Sequence, residues 1–106
     1  MSEHTLILST IDSREAAEKI AHHVVEERLA ACVNIISDIT SVYKWEGALE
    51  RVSESLMVIK TTRERLPQLI ERIKELHTYE LPEVIALPIE DGYPPYLEWI
   101  VSETTE

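Results

Sequence analysis

The chain has 106 residues, enough for one compact domain, and 44% of them are hydrophobic. Its 20 acidic and 10 basic side chains give a formal net charge of −10 at pH 7. This balance argues against nucleic acid and anionic membranes as partners, because both are recognised through clustered Lys and Arg. No run of about 18 apolar residues and no basic, apolar leader occurs, so we expect neither a membrane span nor a secretory signal.

The cysteine content restricts the chemistry further. Cys32 is the single cysteine of the sequence, so an internal disulfide and a Cys-rich structural zinc site are both excluded. A lone thiol without a leader fits a reducing compartment, and we expect a cytoplasmic protein. No repeat, linker or low-complexity segment interrupts the sequence, which predicts a single domain over residues 1–106.

The N-terminal segment predicts a strand followed by a helix. Residues 5–11 (TLILSTI) form a short run rich in β-branched side chains, which is typical of a strand. Asp12 and Glu15 then have the spacing of a capping box at a helix start. Apolar residues follow at helical spacing and predict one buried face: Ala16, Ala17, Ile20, Ala21, Val24 and Val25.

A long hairpin is predicted next. Residues 31–45 (ACVNIISDITSVYKW) have the composition of a long strand, with a bend near Ser37 and Asp38. Gly47 supplies a permissive backbone for the turn, and residues 52–61 (VSESLMVIKT) return as the partner strand.

The C-terminal half repeats the helix and strand signals. Thr61 and Glu64 again have capping-box spacing, and Pro67 suits the first turn of a second helix. Residues 83–90 (EVIALPIE) predict a fourth strand, and Pro88 favours a position at the sheet edge. The second helix and a short terminal helix over residues 96–103 are predicted to bury Leu66, Leu69, Ile70, Ile73 and Leu76, and Leu97, Ile100 and Val101, respectively.

The predicted order is strand, helix, strand, strand, helix, strand, plus a terminal helix. This is the ferredoxin-like α+β plan, an antiparallel sheet with two helices on one face. Strands with one solvated face should alternate apolar and polar residues, yet residues 6–8 (LIL), 56–59 (LMVI) and 84–87 (VIAL) are apolar on both faces. One short helix cannot cover a whole sheet, so the pattern predicts an obligate oligomer whose sheets pack on one another.

Five segments, in this order and spacing, carry a family resemblance: ERLAACVNI, YKWEG, ESLMVIKTT, ELHTYELPEVIALPI and YLEWI. Together they resemble CutA, the divalent-ion-tolerance proteins, over essentially the whole chain. The resemblance implies a ferredoxin-like subunit, a tight homotrimer assembled through its sheets, and a cytoplasmic setting. It also implies an association with copper and other divalent metal ions, without an obligatory cofactor.

The resemblance further implies copper ligands at Cys32, His77 and Glu83. Imidazole and thiolate suit copper or zinc, and a carboxylate completes a mixed set of donors. Their spacing is not diagnostic, since only the fold can bring Cys32 to the other two. Thr78 replaces the proline that many members have after this histidine. Structural roles stay open: Cys32 as a small buried residue, and His77 as a cation at a helix C-terminus.

A second group of residues predicts a cleft between subunits. Tyr43 and Trp45 share one strand face near the hairpin tip, and as an aromatic patch they favour a subunit contact. Lys60 ends an apolar strand, so its ammonium either extends to solvent or lines the cleft. In the second case it would lie with Glu54, Tyr79 and Glu83, positions that resemble the polar set shared by the family.

No catalytic motif is visible in the sequence. Two glycines cannot make a glycine-rich phosphate loop, and neither a nucleophile elbow nor a His-Glu-x-x-His helix occurs. The missing motifs argue against an enzyme, and together with the family resemblance we predict a non-enzymatic, trimeric divalent-metal tolerance protein. Three alternatives stay open: a PII-like signalling trimer with a small anionic metabolite near Lys60, a ligand-free scaffold, and weak cation attraction by bulk negative charge.

Overall fold

The structure is a computed structural model that describes residues 3–105. Its elements are β1 (His4–Ile11), α1 (Arg14–Glu26), β2 (Cys32–Trp45), β3 (Ala48–Thr62), α2 (Leu66–Leu76), β4 (Ile85–Pro88) and α3 (Pro94–Thr104). The four strands form one sheet in the order β2-β3-β1-β4, and every neighbouring pair is antiparallel. This is the predicted ferredoxin-like α+β fold, and β4 lies at the sheet edge as its proline indicated.

One face of the sheet, the core face, is covered by the chain's own helices. Side chains alternate along each strand, so the odd-numbered residues of β1 and β3 point to this face. Ile7, Ile11, Met57 and Ile59 are fully buried among them. They form one cluster with Ala17, Ile20 and Val24 of α1 and with Leu69 and Ile73 of α2. The buried faces predicted for α1 and α2 are thus confirmed at these positions, whereas Val25, predicted to be buried on α1, is 41% exposed.

The start of α1 differs from the prediction by one residue. Ser13, not Asp12, is the N-cap, and its hydroxyl accepts a hydrogen bond from the backbone N–H of Ala16 at 3.1 Å. Asp12 instead accepts a bond from the Thr78 hydroxyl at 3.0 Å. Both residue types are good N-caps, and the tertiary contact to Thr78 decides between them.

The predicted N-cap of α2 is wrong. Thr61 belongs to β3, where it pairs with Thr5 and is fully buried, and its hydroxyl donates to the carbonyl of Leu29 at 2.6 Å. The helix begins after Arg65 without a side-chain cap, and Pro67 lies in its first turn as predicted. Strand pairing and burial therefore outweigh the local capping signal at Thr61.

The β2–β3 hairpin extends well beyond the two-helix layer. The principal-axis extents are 44 × 25 × 22 Å, and the long axis reflects this arm. The predicted bend is present as a register shift between Ile36 and Ile39, where Asp38 has a φ of 59°. The tip is a two-residue turn in which Glu46 and Gly47 both have positive φ, the geometry that suits the twist of a hairpin.

The other face of the sheet, the open face, is partly covered by α3 alone. It carries Leu6, Leu8, Leu56, Val58, Ile36, Ile85 and Leu87. Ile36, Ile85 and Leu87 remain 50%, 51% and 43% exposed. Tyr96 of α3 reaches the thiol of Cys32 on this face, and burial, followed by that thiol, raises the pKa of the phenol. Apolar residues thus occur on both faces of the sheet, as the sequence indicated.

Candidate functional site

The connector after α2 is fixed to the C-terminal end of β1. Nε2 of His77 lies 2.8 Å from the carbonyl oxygen of Thr10, and Nδ1 accepts the backbone N–H of Tyr79 at 3.0 Å. A carbonyl can only accept, so Nε2 carries the proton in this arrangement. Both ring nitrogens are therefore engaged within the chain. The rings of His77 and Tyr79 also pack at a centroid distance of 4.8 Å.

Glu83 reaches the same end of β1. Its carboxylate accepts a hydrogen bond from the Thr10 hydroxyl at 3.3 Å, and the side chain is exposed. Thr10 thus contacts His77 through its carbonyl and Glu83 through its hydroxyl. Two of the three predicted metal donors are brought together within one subunit.

Tyr79 links the connector to the open face. Its phenol donates to the Glu54 carboxylate at 2.7 Å, and Glu54 is only 6% exposed. Burial raises the pKa of Tyr79, and the neighbouring Glu54 carboxylate raises it further. The phenol therefore stays protonated over the whole physiological range and acts as a fixed donor. Two residues of the predicted cleft are in direct contact.

Cys32 and Lys60 form a separate group on the open face. They face each other across β2 and β3, and the side-chain amide oxygen of Asn34 accepts from both the Lys60 ammonium and, at 3.8 Å, the Cys32 thiol. The thiol is partly exposed, so its interpretation as a purely buried residue holds only in part. Tyr96 of α3 completes the group.

The two groups lie at different ends of the sheet. Lys60 pairs with Leu6, whereas Thr10 pairs with Leu56, four positions along the strands. At about 3.4 Å per residue this places Cys32 more than roughly 13 Å from His77 within one chain. Among residues 3–105, no group of three or more His, Cys, Asp and Glu side chains could hold a metal ion. The three-residue metal site stays a prediction that one chain cannot complete.

Tyr43 and Trp45 lie near the tip of the hairpin arm. Tyr43 pairs with Glu50 and both aromatic side chains are exposed, so they share one face of β2 as predicted. That face continues the open face past the bend, since Ile39 pairs with Glu54. Their role in a subunit contact stays a prediction.

Three residues with clear contacts in these groups had no sequence signal of their own. Asn34 could have been found, since it lies two positions after Cys32 on the same strand face. Thr10 and Tyr96 could not, because their contacts join segments more than 60 residues apart along the chain.

Known proteins similar to this chain share nearly its full length. The divalent-cation tolerance protein CutA of Thermus thermophilus is 48% identical over 99 residues, which cover 93% of this chain and 96% of the relative. The CutA protein of mouse is 53% identical over 91 residues, or 86% of this chain. The chain spans about half, 51%, of that mouse relative.

Solved structures agree with the fold in detail. The CutA1 crystal structure from Oryza sativa superposes with a TM-score of 0.95 at 43% identity, covering 99% of this chain and 96% of the other. The Thermus thermophilus Cut A1 structure gives a TM-score of 0.93 at 46% identity, covering 96% and 99%.

The predicted cytoplasmic setting is wrong. The similar proteins of Arabidopsis thaliana and rice are named chloroplastic, and a similar structure from Archaeoglobus fulgidus is described as periplasmic. Similar proteins are thus described from different compartments, and they do not support a cytoplasmic setting for this chain. Within residues 3–105 no helix combines the length and apolar character needed to cross a bilayer.

A protein-family model matches almost all of the described residues of this chain. The family model of the CutA1 divalent ion tolerance protein matches residues 5–103, from β1 to the last turn of α3. This range includes the Cys32 group, the connector from His77 to Glu83 and the whole hairpin arm. Together with the relatives above, it establishes that this chain belongs to the CutA1 divalent ion tolerance family.

Proposed function

We propose that this chain is a single-domain, non-enzymatic protein that acts as a homotrimer in divalent-cation tolerance. The family and its Thermus thermophilus member, named a divalent-cation tolerance protein, support the general role. The assembly and the metal site are specific to the proposal and are argued from the contacts of this chain.

The open face is the observation that carries the proposal. Large apolar side chains on it are about half exposed, including Ile36, Ile85 and Leu87. Exposed apolar residues in one contiguous patch mark an interaction surface, and the exposed aromatics of the hairpin arm extend this patch. Sheets of three copies packed on one another would cover it. Sedimentation at micromolar concentration tests this step: we expect a single species of three times the chain mass, and a monomer contradicts it.

We further propose that the metal ion binds where the two groups of donors meet between subunits. Cys32 of one copy would supply a thiolate, and Glu83 of the next a carboxylate, a pair that suits copper or zinc. His77 can join them only by giving up the N–H bond from Tyr79, because Nε2 is held at Thr10. Leaving that amide without its acceptor costs about 1–3 kcal/mol, so His77 should contribute less than Cys32.

Calorimetric titration with zinc and copper tests the donor set. We expect Cys32→Ala to lower the affinity by roughly tenfold or more, since even outer-shell changes commonly cost that much. His77→Ala should have a smaller effect. His22→Ala is the matched control, because His22 lies exposed on α1, and we expect wild-type binding from it. If Cys32→Ala binds metal with wild-type affinity, the proposed inter-subunit metal site is contradicted.

Bulk charge is the rival explanation for metal binding. Each copy has a formal net charge of −10, so three copies together carry −30, which is enough to attract cations without fixed ligands. Such attraction fades once salt shortens the screening length to about 8 Å or less. We expect the affinity of the donor site to persist at physiological salt, whereas diffuse binding would disappear.

A further inference from the structure

The Glu54 and Lys60 side chains, which both lie on the open face, have no ion-pair partner among residues 3–105. The Glu54 carboxylate, 6% exposed, receives a hydrogen bond from the Tyr79 phenol, a neutral donor. The Lys60 ammonium donates to the Asn34 amide oxygen, a neutral acceptor. Every salt bridge between described residues lies elsewhere, on or between the helices α1 and α2 and their flanking residues.

An unpaired carboxylate is costly in this position. Removing a charge from water without a counterion is strongly unfavourable, and buried charges in proteins are accordingly paired. One neutral hydrogen bond to Glu54 compensates for part of that cost. An acidic chain with 20 carboxylates offers few cations to supply the remainder, which makes each unpaired lysine on this face significant.

Glu54 and Lys60 cannot pair within one chain. Both lie on β3, six positions apart, and β3 is regular between them because the register shift is taken up by β2. At about 3.4 Å per residue the two positions are separated by roughly 20 Å. Their side chains point to the same face, since residues an even number apart on a strand share a side. One face thus displays a negative group at one end and a positive group at the other.

We propose that Lys60 of one copy forms an ion pair with Glu54 of the next copy. The inference rests on the trimer proposed above and specifies how its subunits meet. Each copy contributes its Lys60 end to one neighbour and its Glu54 end to the other. Such a head-to-tail contact uses two different patches and closes into a ring when the rotation allows it. The site around Glu54 is incomplete without the neighbouring subunit.

The same register assembles the metal donors. Cys32 faces Lys60 across β2 and β3, whereas Tyr79, bonded to Glu54, belongs to the connector that begins at His77. Bringing Lys60 to Glu54 therefore carries Cys32 of one copy to the connector of the next. The ion pair and the proposed metal site are then two parts of one inter-subunit cleft.

Charge reversal tests the pair through the oligomeric state. In Lys60→Glu and in Glu54→Lys, like charges meet at every interface, and we expect the dissociation midpoint to rise by at least about tenfold in protein concentration. The double variant Lys60→Glu/Glu54→Lys restores opposite charges between copies. We expect it to re-form the trimer, measured by light scattering after size exclusion across a dilution series.

Matched controls separate this contact from a general charge effect. Lys19→Glu and Glu26→Lys make the same two changes on the exposed side of α1, and we expect wild-type assembly from both. Single reversals that assemble like these controls would overturn the ion pair, as would a double variant that stays dissociated. A wild type that is itself monomeric would instead overturn the trimer.

Carbodiimide coupling gives a test without substitutions. It joins a lysine to a carboxylate only when the two are in contact. We expect the denatured wild-type protein to contain a dimer-mass species whose peptides link Lys60 to Glu54, since roughly 20 Å separates them within one chain. A dimer-mass species with Lys60 joined consistently to another carboxylate would overturn the assignment.

Discussion

The two faces of the sheet are built from the same strands but differ in how completely the chain buries them. On the core face Ile7, Met57 and Ile59 are completely buried beneath α1 and α2. On the open face Ile36 and Leu87 are about half exposed, although the strands there are equally apolar. The difference arises from what the chain provides as cover: two amphipathic helices on one side, and on the other the single helix α3.

This contrast separates folding from association. Burial on the core face is complete within one chain, so its free energy belongs to the folding of the subunit. Burial on the open face requires other copies, so its free energy depends on protein concentration by mass action. Substitutions on the two faces should therefore be distinguishable by how their effects change on dilution.

The largest effect is expected on the core face. Ile59→Ala removes a fully buried side chain, and such truncations cost about 2–5 kcal/mol in the free energy of unfolding. Urea denaturation should show the same loss at every protein concentration. Val25→Ala is the control, since Val25 on α1 is 41% exposed and surface changes cost about 0.5 kcal/mol or less. If the loss of stability in Ile59→Ala disappeared at high protein concentration, Ile59 would lie in a subunit interface and not in the core of one chain.

The next effect is expected on the open face. Ile36→Asp places a charge in the proposed subunit contact. Losing the burial of the Ile36 side chain should lower the free energy of assembly by about 1.5–3 kcal/mol per copy. We expect a monomeric protein at micromolar concentration with a circular dichroism spectrum close to that of the wild type. Val25→Asp makes the same change at similar exposure on α1 and should leave the oligomer intact. If Ile36→Asp forms the same oligomer as the wild type, Ile36 does not lie in a subunit contact, and the proposed packing of the open face is contradicted.

The polar end of the open face can be tested at Tyr79. Tyr79→Phe removes the hydrogen bond to Glu54 and leaves a buried carboxylate without its described donor. We expect the free energy of unfolding to fall by about 1–3 kcal/mol. Tyr93→Phe should be neutral, because Tyr93 is an exposed phenol at the start of α3. Equal stability of the two variants would mean that solvent or another donor replaces the phenol.

The architecture was predictable because periodicity is a local property. Strand composition, helical spacing and Gly47 identified the elements and their order, and Pro88 identified the edge strand. The predictions failed where a tertiary contact competed with a local signal. Asp12 bonds to Thr78 instead of capping α1, and Thr61 pairs within β3 instead of starting α2. A capping box describes only what a side chain can do within its own turn.

The candidate site was less predictable because it depends on strand register. The family resemblance implied His77, Glu83 and Cys32 as one set of metal ligands, but the register places Cys32 at the opposite end of the sheet from the connector. The contacts of Thr10 with the connector span more than 70 positions in the case of Glu83. Pairing across such separations has no local signature.

A smaller effect is expected at Ser9 on the core face, where truncation of the side chain should not destabilise the protein. The hydroxyl of Ser9 is buried without a described hydrogen-bond partner, whereas the hydroxyl of Thr61 donates to the Leu29 carbonyl. Ser9→Ala should therefore be neutral or raise the free energy of unfolding by up to about 1 kcal/mol. Thr61→Ser keeps the donor, and Thr61→Ala should lower stability by about 1 kcal/mol. A destabilised Ser9→Ala would indicate that a buried water satisfies this hydroxyl.

The smallest effect is expected on the solvent side of the helix layer, which faces away from both sheet surfaces. Arg72 on α2 binds the Glu27 carboxylate at the end of α1 through two N–O contacts of 2.9 Å, and these hydrogen bonds hold the pKa of Glu27 below its ordinary value of 4.5. A carboxyl with a lowered pKa in the folded state stabilises the protein above its unfolded pKa and loses that contribution as the pH falls through the folded value.

Glu27→Gln should therefore be slightly less stable than the wild type at neutral pH, with a small difference because the pair is exposed. Thermal midpoints measured from neutral pH to roughly pH 3 should converge as the carboxylate is protonated. Arg72→Gln should reproduce this pH dependence, since the guanidinium is the main cause of the shift. A difference that persists unchanged at acidic pH would mean that packing of the side-chain stems, and not the charge, joins the two helices. The helix layer would then contribute to the core face by burial alone.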